Sequence, residues 1–348
     1  MTLVETAFVT IIIPCRNEKR HISNCLKSII ENKFPKDRMQ VLVVDGMSND
    51  GTRKQIEAIA ARYPFVQLID NPKRITPVAL NIGIRKSKGD IIIRMDAHAS
   101  YPRDYILKLL KWMDKTGADN VGGLVITRAG GDGLVARGIA VATSHPFGVG
   151  NAYFRIGVRE PRWVDTVPFG CYKRAVFDKI GTFDEELVRN QDDELNSRLI
   201  KAGGKILLTP DIKIEYIART RLRLVWRMYW QYGYYKPLVI RKVGAVVTVR
   251  QIIPAIFVVT LGLCAIMAMF YDSAIYALLG IIGAYLLGNL SASLVAAKRF
   301  GMGLFVVCPF VFAVLHFAFG TGFLLGVCDF GFRGRRKTVQ RTEVPLSR

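Results

Sequence analysis

Several common signatures are missing from this sequence. Its six cysteines show no CxxC spacing, which argues against a disulfide framework or a zinc site and fits a reducing compartment. No GxxxxGK[ST] occurs, and no GxGxxG follows the first apolar run, so a P-loop enzyme or a dinucleotide-binding dehydrogenase is disfavoured. The first ten residues lack a basic n-region, and the apolar run at 8–13 is too short for a signal peptide. There is no internal repeat and no low-complexity tract. Acid is absent from residues 219–250, and three stretches, 251–271, 273–297 and 300–328, carry no Asp, Glu, Lys or Arg at all.

These three stretches set the organisation of the 348 residues, a length that suits about two domains. Each is long enough to cross roughly 30 Å of hydrocarbon as a helix, so a membrane domain is expected over 251–330, followed by a basic tail at 331–348. Residues 219–250 hold Arg219, Arg221, Arg223, Arg227, Lys236, Arg241, Lys242 and Arg250, interleaved with Trp226, Tyr229, Trp230, Tyr232, Tyr234 and Tyr235. Amphipathic rings favour a membrane interface and cations favour the anionic cytoplasmic leaflet. A basic-aromatic stretch can also bind single-stranded nucleic acid. Its place directly before apolar segments favours membrane lipids, and no nucleic-acid partner is expected. With the belt inside, Tyr271 to Ser273 turn outside and Lys298 and Arg299 return inside. A third full span would carry Arg333, Arg335, Arg336 and Lys337 outside, against the positive-inside rule. Pro309, His316, Gly320 and Gly322 offer a re-entrant hairpin or a broken helix instead.

The region before the belt alternates apolar runs with helix-like stretches. Val9 to Ile13 leads into Pro14-Cys15-Arg16-Asn17-Glu18, Val41 to Val44 into Asp45, and Ile91 to Ile93 into Asp96 and His98. Helix-like stretches follow near 20–31, 52–62 and 102–115, with Ser48, Asn49 or Asp50 placed to cap the second. This alternation predicts an α/β fold with a mostly parallel sheet. Glu18, Asp45 and Asp96 then line one edge, where open α/β sheets bind ligands. Alternate residues of extended chain share a side, so Asp96 and His98 can converge on one cation. The plain alternative is an acidic side chain that punctuates a turn or caps a helix.

At this point the residues resemble family 2 inverting glycosyltransferases of the GT-A (Rossmann-like) fold. Thr10-Ile-Ile-Ile-Pro-Cys-Arg-Asn-Glu18 is similar to the family's opening strand and Pro-x-x-Asn-Glu. Asp45, Ser48, Asp50 and Thr52 resemble its nucleotide-binding turn, with Gly46 where a second Asp is common. Asn81, Gly83, Gly89 and Asp90 lead into Asp96-Ala-His98, which stands at the metal motif, usually Asp-x-Asp. Gly181-Thr-Phe-Asp-Glu185 and Gln191-Asp-Asp-Glu-Leu195 resemble the acceptor-side motif. The match covers about residues 8–217, and a first domain over 1–218 is expected. Ser144-His-Pro-Phe-Gly-Val-Gly-Asn151 and Val164-Asp-Thr-Val-Pro-Phe-Gly-Cys171 look like the succinoglycan-type exopolysaccharide enzymes.

The resemblance implies that an acceptor hydroxyl displaces a nucleoside diphosphate from a sugar. It implies Asp192 as general base, and Asp96 with His98 as ligands of Mg²⁺ or Mn²⁺. Pro14, Arg16, Glu18, Asp45, Ser48, Asp50, Arg74, Asn81 and Asp96 are expected around the nucleotide sugar. His145, Gly170, Cys171, Asp193, Arg219 and Arg221 are expected around the acceptor, a polyprenyl-diphosphate-linked oligosaccharide. The alternative for Asp192 to Glu194 is a solvated helix turn with Glu194 paired to Arg198. For His145 it is a satisfied structural histidine, and for Arg74 a surface position. The expected location is the inner (plasma) membrane, multi-pass, with the catalytic domain cytoplasmic. A processive polysaccharide synthase is the nearest rival, but no Gln begins the Gln-x-x-Arg-Trp of such enzymes. A polyprenyl-phosphate sugar transferase and a non-catalytic export component are the others.

Overall fold

A computed structural model describes residues 1–245 and 249–332. The chain begins α1 (Leu3–Thr6), β1 (Val9–Cys15), α2 (Ile22–Ile30), β2 (Met39–Asp45), α3 (Thr52–Ala60), β3 (Val66–Asp70), α4 (Thr76–Lys86), β4 (Ile91–Arg94), α5 (Tyr105–Thr116) and β5 (Asn120–Arg128). It continues α6 (Leu134–Ala142), α7 (Pro146–Val149), α8 (Tyr153–Ile156), β6 (Arg162–Trp163), β7 (Cys171–Lys173), α9 (Arg174–Ile180), α10 (Gln191–Lys201) and β8 (Ile206–Ile217). The last helices are α11 (Leu222–Val243), α12 (Ile253–Met267), α13 (Asp272–Phe300) and α14 (Leu304–Val327). Two compact units form, residues 1–126 with 157–216, and residues 127–156 with the chain from 217 on. The segment 127–156 precedes the boundary at 218 read from the sequence, yet it groups with the later helices.

The first unit is an α/β sheet in the order β3-β2-β1-β4-β7-β5-β8-β6. β1 pairs in parallel with β2 and β4, and β2 with β3, while β7 runs antiparallel to β4 and β5. β2 is buried throughout and β1 at all but Pro14, which explains apolar runs in place of alternation. α2 buries Ile22, Cys25, Leu26 and Ile29, one face at helical spacing. Gly83 lets α4 lie against β1, since a Cβ there would sit 2.4 Å from Ile12 Cγ2. β4 last pairs with β1 at Ile12↔Arg94, so Pro14 falls where that neighbour has ended and its missing N–H is tolerated. The register sets Cys15 opposite Asp45, so the loops bearing Glu18, Asp45 and Asp96 emerge along one edge.

The second unit is helical, with an apolar core that includes Ile139, Val225, Met228, Val311, Phe312 and Leu315. Residues 222–243 of the basic-aromatic belt form the helix α11, crossed closely by α14. A Cβ on Gly322 would lie 2.2 Å from the Trp230 carbonyl oxygen, and one on Gly326 2.2 Å from that of Tyr234. Small residues four apart let two backbones approach in this way. The third apolar segment is therefore not broken: α14 runs through Pro309, Gly320 and Gly322, whose glycines answer to packing rather than to a turn. α13 and α14 are long and apolar enough to cross a bilayer by length and composition. α12 is not, because its 15 residues extend about 22 Å at about 1.5 Å each, against roughly 30 Å of hydrocarbon. Arg333, Arg335, Arg336 and Lys337 lie outside the described residues.

Asn289 on α13 and His316 on α14 are each paired. Asn289 Nδ2 donates to the Pro309 carbonyl at 3.1 Å, and His316 lies 3.0 Å from Tyr285 Oη and 2.8 Å from the Phe147 carbonyl. Gly326→Ala is expected to lower thermal stability in detergent by about 1–3 kcal/mol, the usual cost of overpacking. Gly283→Ala, at a position with nothing within 4 Å, should leave it unchanged. Equal melting of the two variants would mean that α11 and α14 do not cross there.

Candidate active site

The loops after β1 and β2 are laced together by side chains. Asn17 N donates to Ser48 Oγ at 2.7 Å, Glu18 N to Thr52 Oγ1 at 2.8 Å, and Lys19 N to Asp50 Oδ2 at 3.2 Å. Gly51 caps α3 at φ 99°, and Asp50, one residue earlier, accepts from Thr52 N at 3.0 Å. Partial desolvation pushes the Asp50 carboxyl up, but hydrogen bonds from Thr52 and Lys19 outweigh it and hold the carboxyl below its usual range. Asp45 is fully buried. It accepts from Ser48 N at 2.8 Å and from Ser48 Oγ, and it pairs with Arg53 at 2.9 Å. In this structure its carboxylate builds the turn. Gly46 leaves room for the Arg16 stem, because a Cβ there would lie 3.1 Å from Arg16 Cδ.

Asp96 follows β4 and is reachable from solvent. His98 Nε2 lies 3.9 Å from Asp96 Oδ2, and His98 Nδ1 lies 3.7 Å from Glu18 Oε1. Glu18 thus lies beside the pair expected to hold the metal. Tyr101 Oη accepts from Asp96 N at 2.7 Å and fixes the turn. Among the described residues no group of three or more His, Cys, Asp or Glu is arranged to hold a metal by itself. A hard cation shared with a diphosphate needs only one or two protein ligands, so the Asp96 and His98 pair fits Mg²⁺ or Mn²⁺.

Across from Asp96 stands Asp192, in the first turn of α10, where the helix dipole favours an anion. Arg94 lies between the two, with Nη2 3.4 Å from Asp96 Oδ1 and Nη1 paired with Asp192 Oδ2. Asp192 Oδ1 is buried and has no hydrogen-bond partner. The alternative pairing predicted on the same helix also forms, with Arg198 Nε 2.5 Å from Glu194 Oε1, and it leaves Asp192 to Arg94. Arg94 was missed in the sequence. The signal was there, a cation closing an otherwise all-isoleucine strand two residues before Asp96.

Other expected contacts are engaged elsewhere. Asn81 donates to the Phe183 carbonyl at 2.8 Å and to Glu185 at 3.2 Å, and accepts from Phe183 N at 2.9 Å, so it pins the loop before α10. Cys171 is fully buried in β7, and burial pushes its thiol up. Gly170 cannot carry a side chain, since a Cβ would lie 2.5 Å from Asn120 Oδ1. Asp193 is half-buried beside Asp192, and Arg74 is exposed. His145, Arg219 and Arg221 belong to the second unit. There His145 Nδ1 caps α7 by accepting from Phe147 N at 3.1 Å, and burial holds the imidazole below its usual range, as in a structural histidine. Arg221 is the exposed N-cap of α11. Non-glycine residues with positive φ fall at Asn17, Met47, Arg74, Phe169 and Asn190. Most of them flank Glu18, Ser48, Gly170 and Asp192, as strained backbone does at functional sites.

A family model described as Glycosyl transferase family 2 matches residues 10–181. The succinoglycan biosynthesis protein ExoA of Rhizobium meliloti is 32% identical over 246 residues, 70% of this chain and 73% of that protein. The dolichyl N-acetyl-alpha-D-glucosaminyl phosphate 3-beta-D-2,3-diacetamido-2,3-dideoxy-beta-D-glucuronosyltransferase of Methanococcus voltae is 28% identical over 243 residues, 68% of this chain and 74% of that one. The mannosyltransferase PcManGT from Pyrobaculum calidifontis, solved with GDP-Man and Mn²⁺, superposes with a TM-score of 0.57 at 18% identity, covering 94% of this chain and 88% of that one. That likeness speaks for the GT-A fold alone. Strand-end loops in this order, and a relative 32% identical over most of both lengths, show that the chain belongs to the family 2 glycosyltransferases.

Proposed function

We propose that this glycosyltransferase is membrane-anchored and inverting, and that it moves one sugar from a nucleotide sugar, a UDP-hexose in the first instance, to a polyprenyl-diphosphate-linked oligosaccharide at the cytoplasmic face of the inner membrane. The observation that carries this is the placement of Asp96 and Asp192 on either side of Arg94. Asp96 and His98 would hold the divalent cation. When bound, the cation neutralises the leaving diphosphate as a Lewis acid. Asp192 takes the proton of the acceptor hydroxyl as that oxygen attacks the anomeric carbon, and the diphosphate leaves from the opposite face. The loops bearing Arg16, Ser48 and Asp50 shape the nucleotide end. The name of one relative, for transfer to a dolichyl-linked sugar phosphate, supports a lipid-linked acceptor, and that of the other supports a part in exopolysaccharide synthesis. The apolar helices α13 and α14 support anchoring.

Screening UDP- and GDP-sugars for turnover by the protein in detergent, with Mg²⁺ and with Mn²⁺, tests this reading. Consumption of a nucleotide sugar that stops with chelator and adds one sugar per acceptor is expected. A growing polymer would instead favour a processive synthase.

Replacing Arg219, Arg221, Arg223 and Arg227 together with Gln should weaken use of a lipid-diphosphate acceptor more than use of a water-soluble analogue lacking the diphosphate. Each cation near an anionic surface contributes roughly 1 kcal/mol, confined to about a Debye length. Localisation should not change, since α13 and α14 remain. Equal loss with both acceptors would reduce the belt to an anchor or a support for the fold.

A further inference from the structure

Arg94 ends a strand of isoleucines and is 9% exposed. A guanidinium removed from water needs partners. Its Nη2 lies 3.4 Å from Asp96, its Nη1 pairs with Asp192, its Cζ stands 5.6 Å from the Phe169 ring centroid, and its Nε is buried without a hydrogen-bond partner. The Phe169 ring is carried by a backbone at φ 53°, and the neighbouring Gly170 carbonyl accepts from Arg94 N at 3.0 Å. Two carboxylates with different tasks therefore share one cation.

We propose that Arg94 is a positioning residue that couples the donor side of the site to the general base. The inference rests on Asp96 as metal ligand and Asp192 as base. A cation held by Asp96 competes with the guanidinium for that carboxylate and repels it. Arg94 would then turn wholly to Asp192 Oδ2 and fix the orientation of that carboxylate relative to the acceptor hydroxyl. Arg94 also keeps Asp192 from drifting toward the diphosphate site before a donor is in place.

The test uses Arg94→Met, Arg94→Lys and Asp192→Asn, and the double variant of Met and Asn, all in the full chain in detergent. Calorimetric titration of Mn²⁺ with UDP, and in parallel with GDP, reads binding. Turnover of the nucleotide sugar used by wild type reads kcat and KM. Arg94→Met should bind Mn²⁺ and nucleotide roughly fivefold tighter, because a competing cation is gone. A merely structural role would weaken binding. Its kcat should fall about 10²-fold through misplacement of the base, and Arg94→Lys should restore part of that. The double variant should be no slower than Asp192→Asn alone, as for residues acting through one another. If Arg94→Met does not fold, Arg94→Gln carries the same readouts. Weaker binding without rescue by Lys would overturn the proposal and assign Arg94 to the diphosphate or to the fold. If Asp192→Asn is slow and Arg94→Met slows it further by its full factor, Asp192 stands as base and the coupling falls. Wild-type turnover by Asp192→Asn would instead remove the base assignment on which the proposal rests.

Discussion

Asp192→Asn is expected to bind nucleotide and metal much as wild type does, and to lower the transfer rate by about 10²–10⁴-fold, the usual worth of a general base. The amide keeps the shape of the carboxylate and its place in the first turn of α10, but its oxygen is a poor proton acceptor. The geometry favours this role over that of a surface helix turn. One oxygen of Asp192 is held by Arg94, and the other is buried and has no partner. The neighbouring Glu194 is closed off by Arg198, so it is not placed to substitute. Single-turnover transfer with saturating donor separates chemistry from binding. A rate equal to that of wild type under those conditions would remove Asp192 from the reaction.

Asp96→Ala should abolish metal-dependent nucleotide binding while the fold persists. In the proposed site Asp96 is the main oxygen donor at the end of β4, and the remaining pair, His98 and Glu18, is poorly suited to hold Mg²⁺ against a diphosphate. The turn is held independently of that carboxylate by Tyr101 on the Asp96 backbone, so the loss should not spread. Titration of UDP or GDP with Mn²⁺ reads the effect, and the far-ultraviolet circular dichroism should not change. Retained affinity would place the metal on other ligands.

Much of this was visible in the order of residues. The apolar runs closing at Glu18, Asp45 and Asp96 mark strands buried on both faces, and parallel register carries their ends to one edge. Which side chains remain for a ligand was not visible, because sequence shows residue types and not the groups that claim them. Asp45 and Asn81 stand at motif positions, and only the structure shows the first engaged by Ser48 and Arg53 and the second by the backbone of Phe183. Arg94 reads as an irregular strand residue until α10 brings Asp192 to it across 98 positions of sequence. In the helical unit, Gly320 and Gly322 read as breakers, because a helix–helix crossing leaves no local sign of its partner. Pro254 and Trp230, which those glycines meet, lie far back in the chain.

The anomeric configuration of the product, measured by one-bond carbon–proton coupling in NMR, addresses most directly the claim that Asp192 and the diphosphate at Asp96 act on opposite faces of the sugar. From an α-linked nucleotide sugar a β-linked product is expected. An α-linked product would contradict that arrangement and require a second displacement that Asp192 alone does not provide.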